Sequence, residues 1–170
     1  MIEIRPERPE DRDGVDAVIA NTFKREAEVR LADKLRQACP EHLSLVAEEN
    51  GRIVGHIMFA PVQVKNGQEA KGMGLAPMSV LPGRQRQGIG SMLVRTGLDM
   101  LEEKGYPFVI VLGHPDYYPR FGFEPASRLG IKSQWQNVPD EAFMILVLDK
   151  EAMRNVAGTA FFRDEFNEAD

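Results

Sequence analysis

A short polar loop rich in glycine, set between a strand and a long helix, most constrains what this chain can fold into. Residues 79–94 read SVLPGRQRQGIGSMLV. The stretch 72–81 has the composition of a strand, and a helix is expected over 89–104. On that helix Ile89, Met92, Leu93, Thr96, Met100 and Leu101 are expected to share one broad apolar face, with Ser91, Arg95, Asp99 and Glu102 opposite. The first backbone N–H groups of a helix have no intrahelical partner, and the aligned peptide dipoles add partial positive charge there. Gly88 and Gly90 remove side chains from that end, so a phosphate can approach the backbone closely. Arg84 and Arg86 place two permanent cations beside it. Such a segment is suited to gripping a diphosphate.

The elements around it suggest an α/β fold. Ile2 and Ile4 alternate with Glu3 and Arg5, a short strand that Pro6 ends. Val15, Val18, Ile19 and Thr22 fall at helical spacing, as do Ala27, Leu31, Leu35 and Ala38 before Pro40. Strands are expected over 43–47 and 53–62, joined by a hairpin at Asn50-Gly51, with a second turn at Asn66-Gly67. Gly105 stops the long helix, and 108–112 is a continuous apolar run, as in a strand buried on both faces. A short strand near Phe123 and a stronger one over 143–148 follow. An antiparallel meander followed by a strand–helix–strand unit implies a mixed sheet. At 170 residues the chain is expected to be one domain, 1–170.

Composition narrows the function. Lys and Arg number 21 against 26 Asp and Glu, a net charge of −5, which argues against a general nucleic-acid binder. Cys39 is the only cysteine, so no intrachain disulfide or cysteine-based zinc site can form, and it reads as a buried structural thiol. His42, His56 and His114 are far apart, and no metal is expected. The N-terminus, MIEIRPERPEDRDG, is charged where a signal peptide needs an apolar stretch, and no apolar run approaches a membrane span of ~20 residues. The chain is expected to be a soluble, cytoplasmic protein. The C-terminal FFRDEFNEAD reads as a terminus lying on the surface, with a docking end over the core or a dimer contact as the alternatives.

Two familiar phosphate loops do not fit. Gly83 and Gly88 have Walker spacing, but Ile89-Gly90 replace the required Lys-Ser/Thr. The dinucleotide fingerprint needs a glycine where Leu93 stands. On spacing alone, glycines that merely turn the chain remain an equal reading. The sequence Gln85-Arg86-Gln87-Gly88-Ile89-Gly90, however, resembles the Arg/Gln-x-x-Gly-x-Gly/Ala signature of the GNAT superfamily of acetyl-CoA-dependent N-acetyltransferases. GHPDYYPRFGFEPA, residues 113–126, is similar to the strand end, short helix and Gly-Phe turn that follow in that family. The resemblance is strong over about 74–126 and implies a central mixed, mostly antiparallel sheet flanked by helices, with a splayed strand pair holding the cofactor.

The resemblance also implies roles. Acetyl-CoA would be the cosubstrate, its pyrophosphate held by main-chain N–H groups across Gln85, Arg86, Gln87, Gly88, Ile89, Gly90 and Ser91. Main chain of Met78, Ser79 and Val80 would hydrogen-bond the pantetheine arm, and Pro77 suits a place where sheet pairing is interrupted. Tyr118, four residues before Gly122, stands where the family often has the acid that protonates the leaving thiolate; a phenol of pKa ~10 keeps its proton at neutral pH. Its neighbour Tyr117 is the residue most easily confused with it. His114 lies at the end of an expected central strand and is the candidate for proton transfer from the amine, but a structural histidine before Pro115 is an equal reading. His56 reads as core or surface, and Glu48 and Glu49 as residues flanking the hairpin. The acceptor is an unidentified amine. Two rival functions share the fold: a non-catalytic acyl-CoA sensor, and a protein-interaction module.

Overall fold

A computed structural model describes residues 1–168 of the chain. They pack as two compact units. The first comprises Met1–Ala60, Ala76–Asp99 and the segment that begins at Asp164; the second comprises Pro61–Leu75 and Met100–Arg163.

The first unit opens with β1 (Ile2–Pro6), followed by helices α1 (Arg12–Phe23) and α2 (Ala27–Ala38). β2 (Leu43–Glu49) and β3 (Arg52–Lys65) come next. β1 pairs antiparallel with β2, and β2 with the first half of β3. The β2–β3 hairpin turns as the Asn-Gly pair requires, with φ 51° at Asn50 and 81° at Gly51. On one face of this ladder Val46, Met58 and Ala60 pack with Val15, Ile19, Leu31, Leu35 and Cys39, all buried. Each large apolar side chain so buried contributes about 1.5–3 kcal/mol. Cys39 is the buried structural thiol expected of it.

β4 (Ala70–Val80) ends in the first unit, followed by α3 (Ile89–Glu103). Ile89, Leu93 and Leu101 of the expected face of α3 are buried, but the buried side extends further round the helix than expected and leaves Met92 out. Leu93, Val94, Gly97 and Leu98 are buried, whereas Met92 is 39% exposed. The cause lies at Gly97, where a Cβ would stand 2.5 Å from Cε2 of Phe59, so the phenyl ring lies directly against the helix backbone.

In the second unit β4 begins after the Asn66-Gly67 turn and runs parallel to β5 (Phe108–Leu112) through Met73↔Val109 and Gly74↔Ile110. That ladder is two residue pairs long, as a splayed pair requires, whereas β5 continues antiparallel to β8 (Phe143–Val147) over five pairs. β6 (Glu124–Pro125) joins β8. Two further strands were not expected. β9 (Gly158–Phe162) pairs with the second half of β3 through Val62↔Phe162, and β7 (Ile131–Ser133) lies parallel to β9. Phe161 and Phe162 therefore belong to a strand, not to a loose surface terminus, and Phe162 is buried. Phe166, beyond it, packs against the α1–α2 core of the first unit, as a docking end would. Ala169 and Asp170 of the expected tail lie outside the described residues. The architecture is a mixed, mostly antiparallel sheet flanked by helices. Among the described residues no helix is long and apolar enough to cross a membrane.

Candidate functional site

The first unit carries the glycine loop. Leu81 N–H donates to the Val54 carbonyl at 3.0 Å, which fixes the end of β4. The chain then turns through residues 82–88 with positive φ at Arg86 (64°) and Gly88 (86°). The first helical bond of α3 runs from Met92 N–H to the Gly88 carbonyl at 3.0 Å. Ile89, Gly90 and Ser91 therefore present N–H groups with no intrahelical acceptor. A Cβ at Gly88 would meet nothing within 4 Å, so the space before this turn is open. The seat of α3 is tight by contrast: at Gly55 a Cβ would lie 3.1 Å from both Ile89 and Leu93.

Side chains around the loop divide into two groups. Arg84 is ion-paired with Glu49 and donates through Nε to Gln87 Oε1 at 3.0 Å. The hydrogen bond and charge of Arg84 hold the Glu49 carboxyl below its ordinary pKa, and Glu49 raises that of Arg84 in return. The Gln85 amide donates to the Val80 carbonyl at 3.1 Å, and the Thr22 hydroxyl reaches the same oxygen at 3.2 Å. The shorter bond of that hydroxyl, 2.8 Å, goes to the Val18 carbonyl, so Gln85 is the donor that engages Val80. The Ser79 hydroxyl is buried and has no hydrogen-bond partner. Arg86 is exposed and makes no ion pair among the described residues.

The second unit carries the aromatic turn. His114 follows β5, and its carbonyl accepts from the N–H groups of Tyr117 at 3.1 Å and Tyr118 at 3.4 Å. The His114 side chain is exposed, and no hydrogen bond to the described residues orients its ring. Tyr118 points inward. Its ring meets Tyr117 edge-on at 5.1 Å and Phe123 at 5.7 Å between centroids. Burial, and secondarily the neighbouring Tyr117, push the phenol's pKa well above its ordinary value. The hydroxyl makes no hydrogen bond with the described residues. Tyr117 instead lies under the Arg120 guanidinium, 4.4 Å from the ring centroid.

A family model described as an acetyltransferase (GNAT) domain matches residues 3–126. The chain belongs to the GNAT family. It is therefore an acetyltransferase. Over 165 residues it is 36% identical to a protein of Escherichia coli K12 named an uncharacterized N-acetyltransferase, YhbS, covering 96% of this chain and 98% of that one. The crystal structure of the E. coli YhbS GNAT N-acetyltransferase in complex with CoA superposes with a TM-score of 0.91 at 35% identity, covering 98% and 92% of the two chains. A GNAT acetyltransferase of Brucella melitensis, solved in complex with acetyl-CoA, gives 0.79 at 34% identity over 98% of both.

In this GNAT chain the expected residues fall in two places. Met78, Ser79, Val80 and the run Gln85, Arg86, Gln87, Gly88, Ile89, Gly90 and Ser91 gather at the end of β4 and the first turn of α3, in the first unit. His114 and Tyr118 gather after β5, in the second. Reading of the sequence alone missed Glu49 and Thr22. No local signal marks them, because each acts on the GNAT loop from a distant element. Among the described residues no group of three or more His, Cys, Asp or Glu is placed to hold a metal ion.

Proposed function

We propose that this GNAT acetyltransferase transfers an acetyl group from acetyl-CoA to a primary amine by direct attack of the amine on the thioester. The observation that carries this reading is the open first turn of α3. It offers the N–H groups of Ile89, Gly90 and Ser91 at the positive end of a 15-residue helix, before a glycine with free space around it. A diphosphate fits that chemistry, and the charge of Arg86 adds to it. The YhbS and Brucella structures, which hold CoA and acetyl-CoA, support the same ligand class.

The residues of this chain would then divide the work. Main chain of Met78, Ser79 and Val80 would orient the pantetheine arm. Expelling a thiolate requires a proton at sulfur, and Tyr118 holds one that burial keeps in place. His114, exposed after β5, is the candidate to receive the amine's proton, either itself or through water. The acceptor is named here by chemistry only, as a primary amine.

The test is thiol release from acetyl-CoA with a panel of primary amines, for the wild type and Tyr118→Phe, across pH. Loss of a general acid lowers kcat by roughly 10²-fold or more while leaving the KM for acetyl-CoA in place. An unchanged rate for Tyr118→Phe at every pH removes the acid role. Tight acetyl-CoA binding with no thiol release for any amine would favour a sensor.

A further inference from the structure

The Tyr118 ring rests on a missing side chain. A Cβ at Gly113 would lie 2.6 Å from Tyr118 Cε2, 3.1 Å from Cδ2 and 3.5 Å from Cζ. Carbons in nonbonded contact prefer about 3.5–4.0 Å, so the ring occupies the volume of a methyl group. Backbone conformation does not call for glycine here, because Gly113 is not among the residues with positive φ. Nor can its backbone withdraw easily. Its N–H donates to the Ala142 carbonyl at 3.0 Å, and β5 immediately before it is held to β8 by five residue pairs. On its other sides the Tyr118 ring meets Tyr117 and Phe123. Any side chain at position 113 is therefore accommodated by moving Tyr118.

We infer that Gly113 is a positioning residue whose absent side chain sets where the Tyr118 hydroxyl stands, a role that rests on the reading of Tyr118 as the proton donor. Relieving a 2.6 Å contact displaces the ring by about 1 Å, and a misplacement of that size costs on the order of 10²-fold in rate. The alanine variant keeps the phenol and tests its placement alone.

The experiment compares the wild type, Gly113→Ala, Tyr118→Phe and the double variant. Thiol release from acetyl-CoA is measured with the best acceptor among spermidine, an Nα-acetyl-lysine amide and an aminoglycoside. Tyr118 ionisation is followed by phenolate absorbance, each protein that keeps Tyr118 being differenced against the matching Tyr118→Phe variant. Gly113→Ala is expected to lower kcat by about 10²-fold with the KM for acetyl-CoA within about 2-fold, and to shift the phenol's titration as the ring leaves its seat. In the Tyr118→Phe background it should lower kcat no further. An equal kcat loss in both backgrounds, or an unmoved phenol titration, overturns the inference. A fully active Tyr118→Phe overturns the acid reading and the catalytic role of Gly113 with it. The phenol titration, which needs no acceptor, tells that failure from a wrongly assigned contact. If Gly113→Ala does not fold, Gly113→Ala with Tyr118→Leu, which lacks the clashing ring, is expected to fold; failure of both refutes the contact.

Discussion

Lowering the pH from about 7.5 to about 4.5 should destabilise this protein through one residue, His56, by about 3 kcal/mol. His56 lies on β3 with no exposed surface, and its Nε2 is 2.9 Å from the Ser44 hydroxyl oxygen. Ser44 donates its own hydrogen to the Glu7 carboxylate, which also accepts from Arg36 Nε at 3.0 Å. The Ser44 oxygen must therefore accept from His56 Nε2–H, which in the neutral ring leaves the lone pair on Nδ1. That nitrogen is buried and has no partner. Charging the ring would bury an N–H without an acceptor, and the Glu7 carboxylate 3.9 Å from Nε2 is already engaged by the Arg36 guanidinium, which offsets its charge. Desolvation first, then Arg36 and His42, bring the pKa from 6.5 down to about 3. The sign follows from proton counting: below pH 6.5 the unfolded chain binds a proton here that the folded chain refuses, so stability falls as pH falls. The contribution is intact above pH 6.5 and is lost progressively toward pH 3. At about pH 4.5 two pH units of this window have been crossed, at about 1.4 kcal/mol each. The assay is urea unfolding of the wild type and His56→Gln at several pH values. Glutamine keeps a donor to Ser44 and cannot titrate, while the carboxylates are common to both proteins and cancel. The gap between the two stabilities should shift by about 3 kcal/mol in the variant's favour on acidification. Parallel curves would refute the reasoning.

The other predictions concern the loop, the helix and the turn. Arg86→Ala should weaken acetyl-CoA binding several-fold and flatten its salt dependence, whereas Arg84→Ala, whose charge Glu49 already compensates, should do less; titrations at two ionic strengths decide. Gly97→Ala should lower Tm although Gly→Ala in a helix normally gains about 1 kcal/mol, because overpacking against Phe59 costs about 1–3 kcal/mol. A rise in Tm would show that the ring moves freely. His114→Gln should lower thiol release and change the shape of the pH–rate profile as the acceptor for the amine's proton is lost, and an unchanged profile would exclude that role.

What could be read from the sequence was local. The turn before α3 lies within a few consecutive residues, and its Gly88 and Arg86 carry the positive φ that such a loop needs. Asn50-Gly51 likewise announced the hairpin. Features set by distant partners could not be read in this way. The face of α3 was legible at Ile89, Leu93 and Leu101 but not in full, because Gly97 looks neutral until Phe59 is seen against it, and because Met92 is apolar yet exposed. β9 escaped notice because its partner, the second half of β3, lies about a hundred residues earlier. The same holds for the site. Arg84 looked like a phosphate ligand, and only Glu49 on the adjoining hairpin shows that its charge is engaged. Tyr118 could be picked out by a motif, but the hydroxyl left unpaired and the ring seated on Gly113 are facts of packing.

The most direct measurement is a calorimetric titration of the purified protein with acetyl-CoA, with ATP and NAD as controls, repeated on Gly88→Glu. Gly88 has open space before it, so glutamate places a carboxylate where the diphosphate would sit, at the cost of one side chain in a positive-φ position. The expected result is selective binding of acetyl-CoA by the wild type and its loss in a variant that still melts cooperatively. Equal binding by a folded Gly88→Glu, or none by the folded wild type, would contradict the assignment of this loop as the cofactor grip.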